Sequence, residues 1–158
     1  MIKRIYIDSS VFGGYFDKEF SIDTLPFFEQ ILEKNIIVLI SEVLEFELLK
    51  APQFVKNLYN SLPKELVEYV ELNVEVRDLA NKYIEEGVVG KTSKADCQHI
   101  ALATIYKAEI LASWNFKHIV NLDRIRGYNL INLREGYQII EIKSPNKIFN
   151  HEKENKGL

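Results

Sequence analysis

The sequence is poor in cysteine, glycine and proline, and it contains no long apolar run. Among its 158 residues are one cysteine, seven glycines and four prolines. The lone Cys97 cannot close an internal disulfide and has no partner spaced for a zinc site, so we expect a small core residue in a reducing compartment. No stretch approaches the roughly 18 consecutive apolar residues needed to cross a bilayer. We therefore expect a cytoplasmic protein that does not associate with membranes.

The charge balance excludes a surface that coats nucleic acid, but it does not exclude a nuclease. The chain has 20 basic and 23 acidic side chains and a net charge of -3, whereas non-specific coating depends on many Lys and Arg residues. A metal site needs clustered carboxylates instead, and the bound cations then face the phosphate. With 47% hydrophobic residues, the chain can form one sizeable core. We expect one domain over residues 1–143 and a flexible polar tail over 144–158.

Short runs rich in β-branched residues alternate with helical patterns along the chain. Strands are predicted at residues 5–7, 36–40 and 110–112, and helices at 24–34, 42–50, 73–86 and 94–107. This alternation favours βαβ crossovers, and therefore an α/β fold with a parallel sheet. Later in the chain, residues 130–131 and 138–142 are predicted to form either a strand pair or one strand preceded by a loop.

Polar side chains follow three of the predicted strands. Asp8 comes directly after the first strand, a helix beginning at Ser41 follows the second, and Ser113 follows the third. In open parallel sheets, ligands bind outside the carboxyl ends of the strands. Asp8 is therefore a candidate site residue, although a role as a turn or helix cap is equally compatible with its position.

Glu47 is the second candidate carboxylate. At about 100° per residue it lies between Val43 and Leu44, on the apolar arc of its helix that also holds Phe46 and Leu48, while the two preceding glutamates point away. A carboxylate within an apolar stripe is costly to bury unless it is paired or bound to a cation. Glu47 therefore needs a metal ion, which we favour, or an ion pair with a nearby Lys or Arg.

Asp96 opens an alanine-rich helix and is the third candidate. It shares a helical face with Ile100 and Ala103, which predicts that it faces inward over small residues. The alternative is structural, because Ser93 and Asp96 have the spacing of a capping box. His99, on the same helix, is interpreted as a satisfied structural histidine rather than a ligand.

The last polar cluster runs from Ser113 to His118. Asn115 can offer a carbonyl oxygen and His118 a ring nitrogen, but neither is an ionised oxygen ligand of the kind that Mg²⁺ prefers. Trp114 is interpreted as a core or lid residue rather than a platform for stacking bases.

Taken in order, these stretches resemble the PIN domain family, and in particular the VapC-type toxins of toxin-antitoxin pairs. The resemblance covers residues 4–143, and its motifs are Asp8-Ser9-Ser10-Val11, Ile40-Ser41 with Glu47-Leu48, Lys94-Ala95-Asp96 and Ser113 to His118. It implies a three-layer α/β fold whose central, mostly parallel sheet of four to five strands is flanked by helices.

The resemblance also implies a ribonuclease that depends on Mg²⁺ or Mn²⁺. It assigns metal binding to Asp8, Glu47 and Asp96, and catalysis to these three with Asn115. Ser9, Lys94, Lys117 and His118 are the candidate substrate contacts, and Lys91 and Arg124 are further cations that could guide an RNA backbone. The family often places another acid where Asn115 or His118 stands, so the occupancy of a second metal stays open.

The implied partners are an RNA substrate, a cognate antitoxin protein and a second copy of the chain in a homodimer. The main rival is a PIN-like domain that has lost catalysis and serves as a binding or scaffolding protein. The missing fourth acid supports this rival, whereas three inward carboxylates oppose it because an acidic cluster without metal repels itself. A haloacid dehalogenase-like phosphatase would need a second Asp where Ser10 stands, and a receiver domain fits the order Asp, Glu, Asp poorly.

Overall fold

The computed structural model describes residues 1–90 and 93–149. Its strands are β1 (Arg4–Ile7), β2 (Ile37–Ser41), β3 (Val67–Val70), β4 (Ile110–Ala112) and β5 (Glu141–Lys143). Its helices are α1 (Ser9–Gly14), α2 (Ser21–Glu33), α3 (Glu42–Leu48), α4 (Gln53–Asn60), α5 (Val74–Glu85), α6 (Lys94–Ile105), α7 (Leu122–Arg134) and α8 (Pro145–Ile148). A short 3-10 helix, Lys64–Leu66, leads into β3.

The strands form one parallel sheet in the order β3-β2-β1-β4-β5. In the central pairs, Ile5 lies opposite Val38 of β2 and Ile110 of β4. Parallel neighbours require crossover connections, and the chain supplies helices for them. The prediction of a mostly parallel sheet of four to five strands is confirmed.

Alternate residues of each central strand enter two separate hydrophobic cores. Tyr6, Leu39 and Leu111 pack on one face with residues of α5, α6 and α7. Ile5 and Ile7 pack on the other face with residues of α1, α2, α4 and α8. Because successive side chains of a strand point to opposite faces, a sheet covered by helices on both sides needs strands that are apolar throughout. The three-layer arrangement predicted from the sequence is confirmed.

Helix α7 and strand β3 differ from the sequence prediction. Residues 130–131, predicted as part of a strand pair or a loop, lie inside α7, where Leu130 is exposed and Ile131 is buried. Exposed leucines on the outer face of α7 obscure the helical period of the sequence. Of the predicted pair, only residues 138–142 overlap a strand, β5. Strand β3 was not predicted, because it is a four-residue edge strand that includes Glu68, whose carboxylate pairs with Arg4 at 2.6 Å.

The prediction of a flexible tail from residue 144 is wrong for residues 144–149. Ser144 is buried, Pro145–Ile148 form α8, and Ile148 and Phe149 enter the core between α8 and α2. The Phe149 ring lies 5.8 Å from that of Phe27, measured between centroids. Burial of these apolar groups holds the segment in place. The rest of the predicted tail, residues 150–158, lies outside the described residues.

Across the described part of the chain, no helix is both long and apolar enough to cross a membrane.

Candidate functional site

The candidate site lies where the central strands β2, β1 and β4 end. Asp8 directly follows β1, α3 begins immediately after β2, and Ser113 directly follows β4. These three strands are neighbours in the sheet and run in the same direction, so their carboxyl ends meet at one edge. Asp96, in the first turn of α6, interacts electrostatically with Glu47.

Asp8 is buried, with 3% of its surface exposed, and its carboxylate is held by two serines. The Ser10 hydroxyl donates to Oδ1 and the Ser113 hydroxyl donates to Oδ2, each at 2.6 Å. Asp8 occupies the N-cap position of α1, but its side chain makes no capping hydrogen bond. The capping alternative is therefore wrong, and the carboxylate is oriented across the sheet by residues that follow two different strands.

The serines that hold Asp8 are themselves fixed by backbone groups. Ser10 Oγ accepts a hydrogen bond from the Trp114 amide at 2.8 Å, and Ser113 Oγ accepts one from the Asn115 amide at 2.9 Å. Trp114 is buried, its Nε1 donates to Thr24, and its ring stacks on Phe20. The interpretation of Trp114 as a core residue is confirmed.

No basic side chain of the described residues forms an ion pair with Asp8 or Asp96. Burial raises the pKa of the Asp8 carboxyl, with His99 and the two serine hydroxyls opposing the rise and Glu47 adding to it. Burial also raises the pKa of Asp96, against the influence of His99. Ionising these carboxyls within the fold therefore costs free energy that a bound cation would offset.

Glu47, half-buried on α3, pairs with His99 and not with a Lys or Arg of the described residues. Its Oε1 accepts from His99 Nε2 at 2.5 Å and from the Ser9 hydroxyl at 3.2 Å. Burial alone would raise the pKa of the Glu47 carboxyl, but the hydrogen bond and charge of His99 lower it. The flanking Val43 is buried as predicted, whereas Phe46, expected on the same arc, is 73% exposed.

His99 is almost fully buried, with 1% of its surface exposed, and both ring nitrogens have partners. Nδ1 lies 2.5 Å from the Tyr6 hydroxyl, which donates to Ser41 Oγ at 2.8 Å. Nε2 donates to the Glu47 carboxylate, which can only accept, whereas the donor in the contact between Nδ1 and Tyr6 depends on the histidine tautomer. Burial would lower the pKa of His99, but Glu47 above all, then Asp8 and Asp96, raise it. Both ring nitrogens have partners, as predicted for a satisfied histidine, but the prediction left out the contact with Glu47.

Asp96 is half-buried in the first turn of α6, as its helical phase predicted. The alternative of a capping box is wrong, because the Ser93 side chain makes no capping hydrogen bond. Within the described residues, Ser93 Oγ and His118 Nδ1 are buried without a hydrogen-bond partner. His118 acts electrostatically on Asp96.

The remaining predicted contacts differ in their availability. Lys94 and Lys117 are exposed. Asn115 Oδ1 already accepts a hydrogen bond from the His118 amide, at 3.0 Å. Arg124 donates to the Val88 carbonyl at 2.7 Å, which holds its side chain against the fold. Lys91 lies outside the described residues.

Comparisons with solved structures connect this architecture with known proteins, although neither the protein-family models nor the curated proteins gave a match. VapBC2 of Rickettsia felis, bound to a promoter DNA fragment, superposes with a TM-score of 0.58 at 14% identity, covering 89% of this chain and 98% of that one. The chain has a VapC-like PIN fold. VapC20 of Mycobacterium tuberculosis, a toxin that cleaves the sarcin-ricin loop, gives 0.54 at 10% identity, covering 72% and 91%. A DNA-bound VapBC of Salmonella typhimurium gives 0.50 at 13% identity, covering 92% and 99%.

Within the described residues, the acids of this PIN fold do not form a closed metal cage. Among the described residues, no three acidic, histidine or cysteine side chains form a ready-made metal cluster. Glu47 and His99 both act on Asp8 and on Asp96, so the acids share one electrostatic environment. Mg²⁺ keeps several waters and takes one or two protein carboxylates, which suits acids that are near one another without converging on a single point.

Sequence reasoning missed three supports of the PIN site: Ser10, Ser113 and Tyr6. Two signals were present in the sequence. A tyrosine inside a fully apolar strand needs a hydrogen-bond partner for its hydroxyl, and hydroxyls just beyond two strand ends can reach a carboxylate there. Neither signal identifies the partners of Tyr6 and Ser113, because their contacts join residues 35 to 105 positions apart.

Proposed function

We propose that the chain is a divalent-metal-dependent endoribonuclease and the toxin of a toxin-antitoxin pair. The observation that carries this proposal is Asp8, a buried carboxylate at the end of the central strand that has hydroxyl donors but no basic partner among the described residues. Burying a carboxylate without a basic partner costs free energy, and such groups are common where a protein binds a cation or a substrate. The VapC-like PIN fold supports a nuclease among the possible chemistries.

Asp8 and Asp96 would hold the ion, and Glu47 would contribute the oxygen that His99 does not occupy. A divalent cation at this edge supplies, when bound, positive charge for the phosphate and activation of the attacking water. Asn115 and His118 offer no ionised oxygen, so we propose one ion, with Mg²⁺ or Mn²⁺ as the candidates, before RNA binds. Within the described part of the chain, these carboxylates form no ion pair with a lysine or arginine side chain, so they stay available to an ion.

The exposed Lys94 and Lys117 are the proposed contacts to the RNA backbone. Lys94 begins α6, two residues before Asp96, and Lys117 lies in the segment after β4. Phosphate contacts of this kind position a nucleic acid without reading its sequence. The Ser9 hydroxyl donates a hydrogen bond to Glu47, so we propose that Ser9 orients the Glu47 carboxylate in addition to any contact with substrate.

The proposed partners are an antitoxin protein and a second copy of the chain. The VapBC structures of Rickettsia felis and Salmonella typhimurium support the first of these, since their VapC-like fold is shared by this chain. Co-purification with the product of an adjacent small reading frame tests the antitoxin, and light scattering of the purified chain tests the homodimer.

Cleavage of a structured RNA tests the proposed activity. The native protein should cleave with Mg²⁺ or Mn²⁺ and lose the activity in excess EDTA, and Asp8→Asn and Asp96→Asn should each reduce the rate by at least about 100-fold. Asp78→Asn, which removes an exposed carboxylate from α5, is the matched control and should keep the native rate. Equal rates for the native protein and Asp8→Asn would favour a catalytically inactive PIN-like scaffold.

A further inference from the structure

A closed loop of contacts joins the start of helix α3 to its last turn. Ser41 caps α3, since its Oγ accepts from the Leu44 amide at 3.1 Å. The same oxygen accepts from Tyr6 of β1, Tyr6 contacts His99 of α6, and His99 contacts Glu47 on the last turn of α3. The loop therefore ties together the three elements that deliver Glu47, Asp8 and Asp96 to the edge of the sheet.

We propose that His99 is a positioning residue for Glu47, an inference that rests on the proposed nuclease function. The imidazole occupies Oε1 of the carboxylate, together with the Ser9 hydroxyl. Only Oε2 is then free of these two donors. Glu47 thus presents one oxygen in a fixed orientation to an ion or water held by the aspartates.

His99 can hold Glu47 in one orientation because the imidazole is buried. A half-buried glutamate has three side-chain torsions and would otherwise sample many rotamers, at an entropic cost whenever it must adopt one. His99 is nearly inaccessible to solvent and is fixed at Nδ1 by Tyr6, so it cannot follow a moving carboxylate. Groups behind a metal-binding carboxylate commonly change metal affinity about 10- to 100-fold when they are removed.

Two neutral amide substitutions separate positioning from charge. In His99→Gln, the amide reaches the place of Nε2 and can still donate to Glu47. In His99→Asn, the shorter side chain reaches only the place of Nδ1, so it can contact Tyr6 but not Glu47. Both variants remove the imidazole charge, so a difference between them reports the contact with Glu47 and not the loss of a cation.

The measurement is Mn²⁺ affinity, obtained by titrating MnCl2 into the full chain and following free Mn²⁺ by electron paramagnetic resonance. We expect a dissociation constant about tenfold higher for His99→Asn than for His99→Gln. Equal constants for the two variants, with clear binding by the native protein, would overturn the inference and leave the proposed metal site intact.

A metal-free arm keeps the inference testable if the native protein binds no Mn²⁺, a result that would overturn the proposed function. Glu47→Ala should lower the melting temperature by about 3 to 6 °C more in the His99→Gln background than in the His99→Asn background. If Glu47→Ala lowers the melting temperature equally in both backgrounds, the inference is wrong, whether or not the protein binds metal. Where His99→Asn does not fold, Tyr6→Phe replaces it: loss of the Nδ1 anchor should weaken Mn²⁺ binding several-fold, and native affinity in this variant would contradict the positioning role.

Discussion

Replacing Asp8 with Asn should make the metal-free protein more stable while abolishing its stabilisation by metal. The substitution keeps the shape of the side chain and removes its charge. Asp8 accepts one hydroxyl on each oxygen; in the variant the carbonyl oxygen keeps one of these bonds. The amide then donates to the other serine, whose hydroxyl can rotate to accept it. The hydrogen-bond network therefore survives, and the change in stability reports mainly the charge.

The magnitude follows from the balance between burial and hydrogen bonding. Burying a carboxylate costs several kcal/mol, and each hydroxyl bond to a charged acceptor offsets about 1.5 to 3 kcal/mol. The raised pKa of Asp8 agrees in direction, since burial outweighs the groups that oppose it. The difference between the burial cost and the two hydrogen bonds leaves a penalty of about 1 to 2 kcal/mol. For a chain of this size, relief of that penalty should raise the melting temperature by about 3 to 6 °C.

The sign depends on pH in a way that can be checked. The folded pKa of Asp8 lies above its ordinary value of 3.8, so the penalty is present when the carboxyl is ionised and disappears as the pH falls through the raised pKa. The advantage of Asn should therefore be largest near neutral pH and shrink on acidification. A constant advantage at every pH would point to a packing effect instead of a charge effect.

Thermal melts of the native protein and of Asp8→Asn, with EDTA or with Mn²⁺, test the reasoning. Mn²⁺ at 100 times its dissociation constant should stabilise the native protein by about 2.7 kcal/mol, or roughly 5 to 10 °C, and should leave Asp8→Asn within about 2 °C. Asp78→Asn should respond to Mn²⁺ as the native protein does. An equal gain from Mn²⁺ in native protein and Asp8→Asn would refute the assignment of Asp8 to a metal site.

Three further perturbations test the fold and the site. Gly14→Ala should lower the melting temperature by roughly 3 to 9 °C, because a Cβ there would lie 2.7 Å from the tryptophan ring; Gly13→Ala, with no atom within 4 Å, should leave it unchanged or raise it slightly. Phe149→Ala should cost about 3 kcal/mol in urea denaturation, whereas Ile139→Ala, at an exposed position, should cost under about 0.5 kcal/mol; similar costs would contradict the docking of the C-terminal segment. The stability that Glu47 gains from its histidine partner is fully present above 4.5 and below 6.5, the ordinary pKa values of the two groups. It is lost as the pH rises through the raised histidine pKa or falls through the lowered glutamate pKa. The difference in melting temperature between the native protein and Glu47→Gln, measured without metal, should therefore be largest within that window. A difference that grows towards pH 9 would contradict the pairing.

The buried strands were predictable because a parallel sheet with helices on both faces leaves no room for polar positions. Ile5 to Ile7 and Ile36 to Ile40 are apolar throughout, and no other element explains such short runs between helical patterns. The edge strand β3 lacks this signal, since one side of it faces solvent and Glu68 pairs with Arg4. Its pairing with β2 places Val67 opposite Val38, a contact between distant positions that no local pattern contains.

The acids of the site were predictable for a different reason from their supports. Asp8 is a candidate because of its position after a strand, and Glu47 and Asp96 because of their helical phase. The resemblance to the PIN family then assigns metal binding to all three. His99 has the same kind of position as any buried histidine on an apolar helix, and its role depends on which side chains it meets. Burial forces both of its nitrogens to find partners, but only the packing of α6 against β1 and α3 decides that the partners are Tyr6 and Glu47. The contact between His99 and Glu47 is therefore a property of tertiary structure that sequence patterns do not contain, and the two amide substitutions at His99 test it.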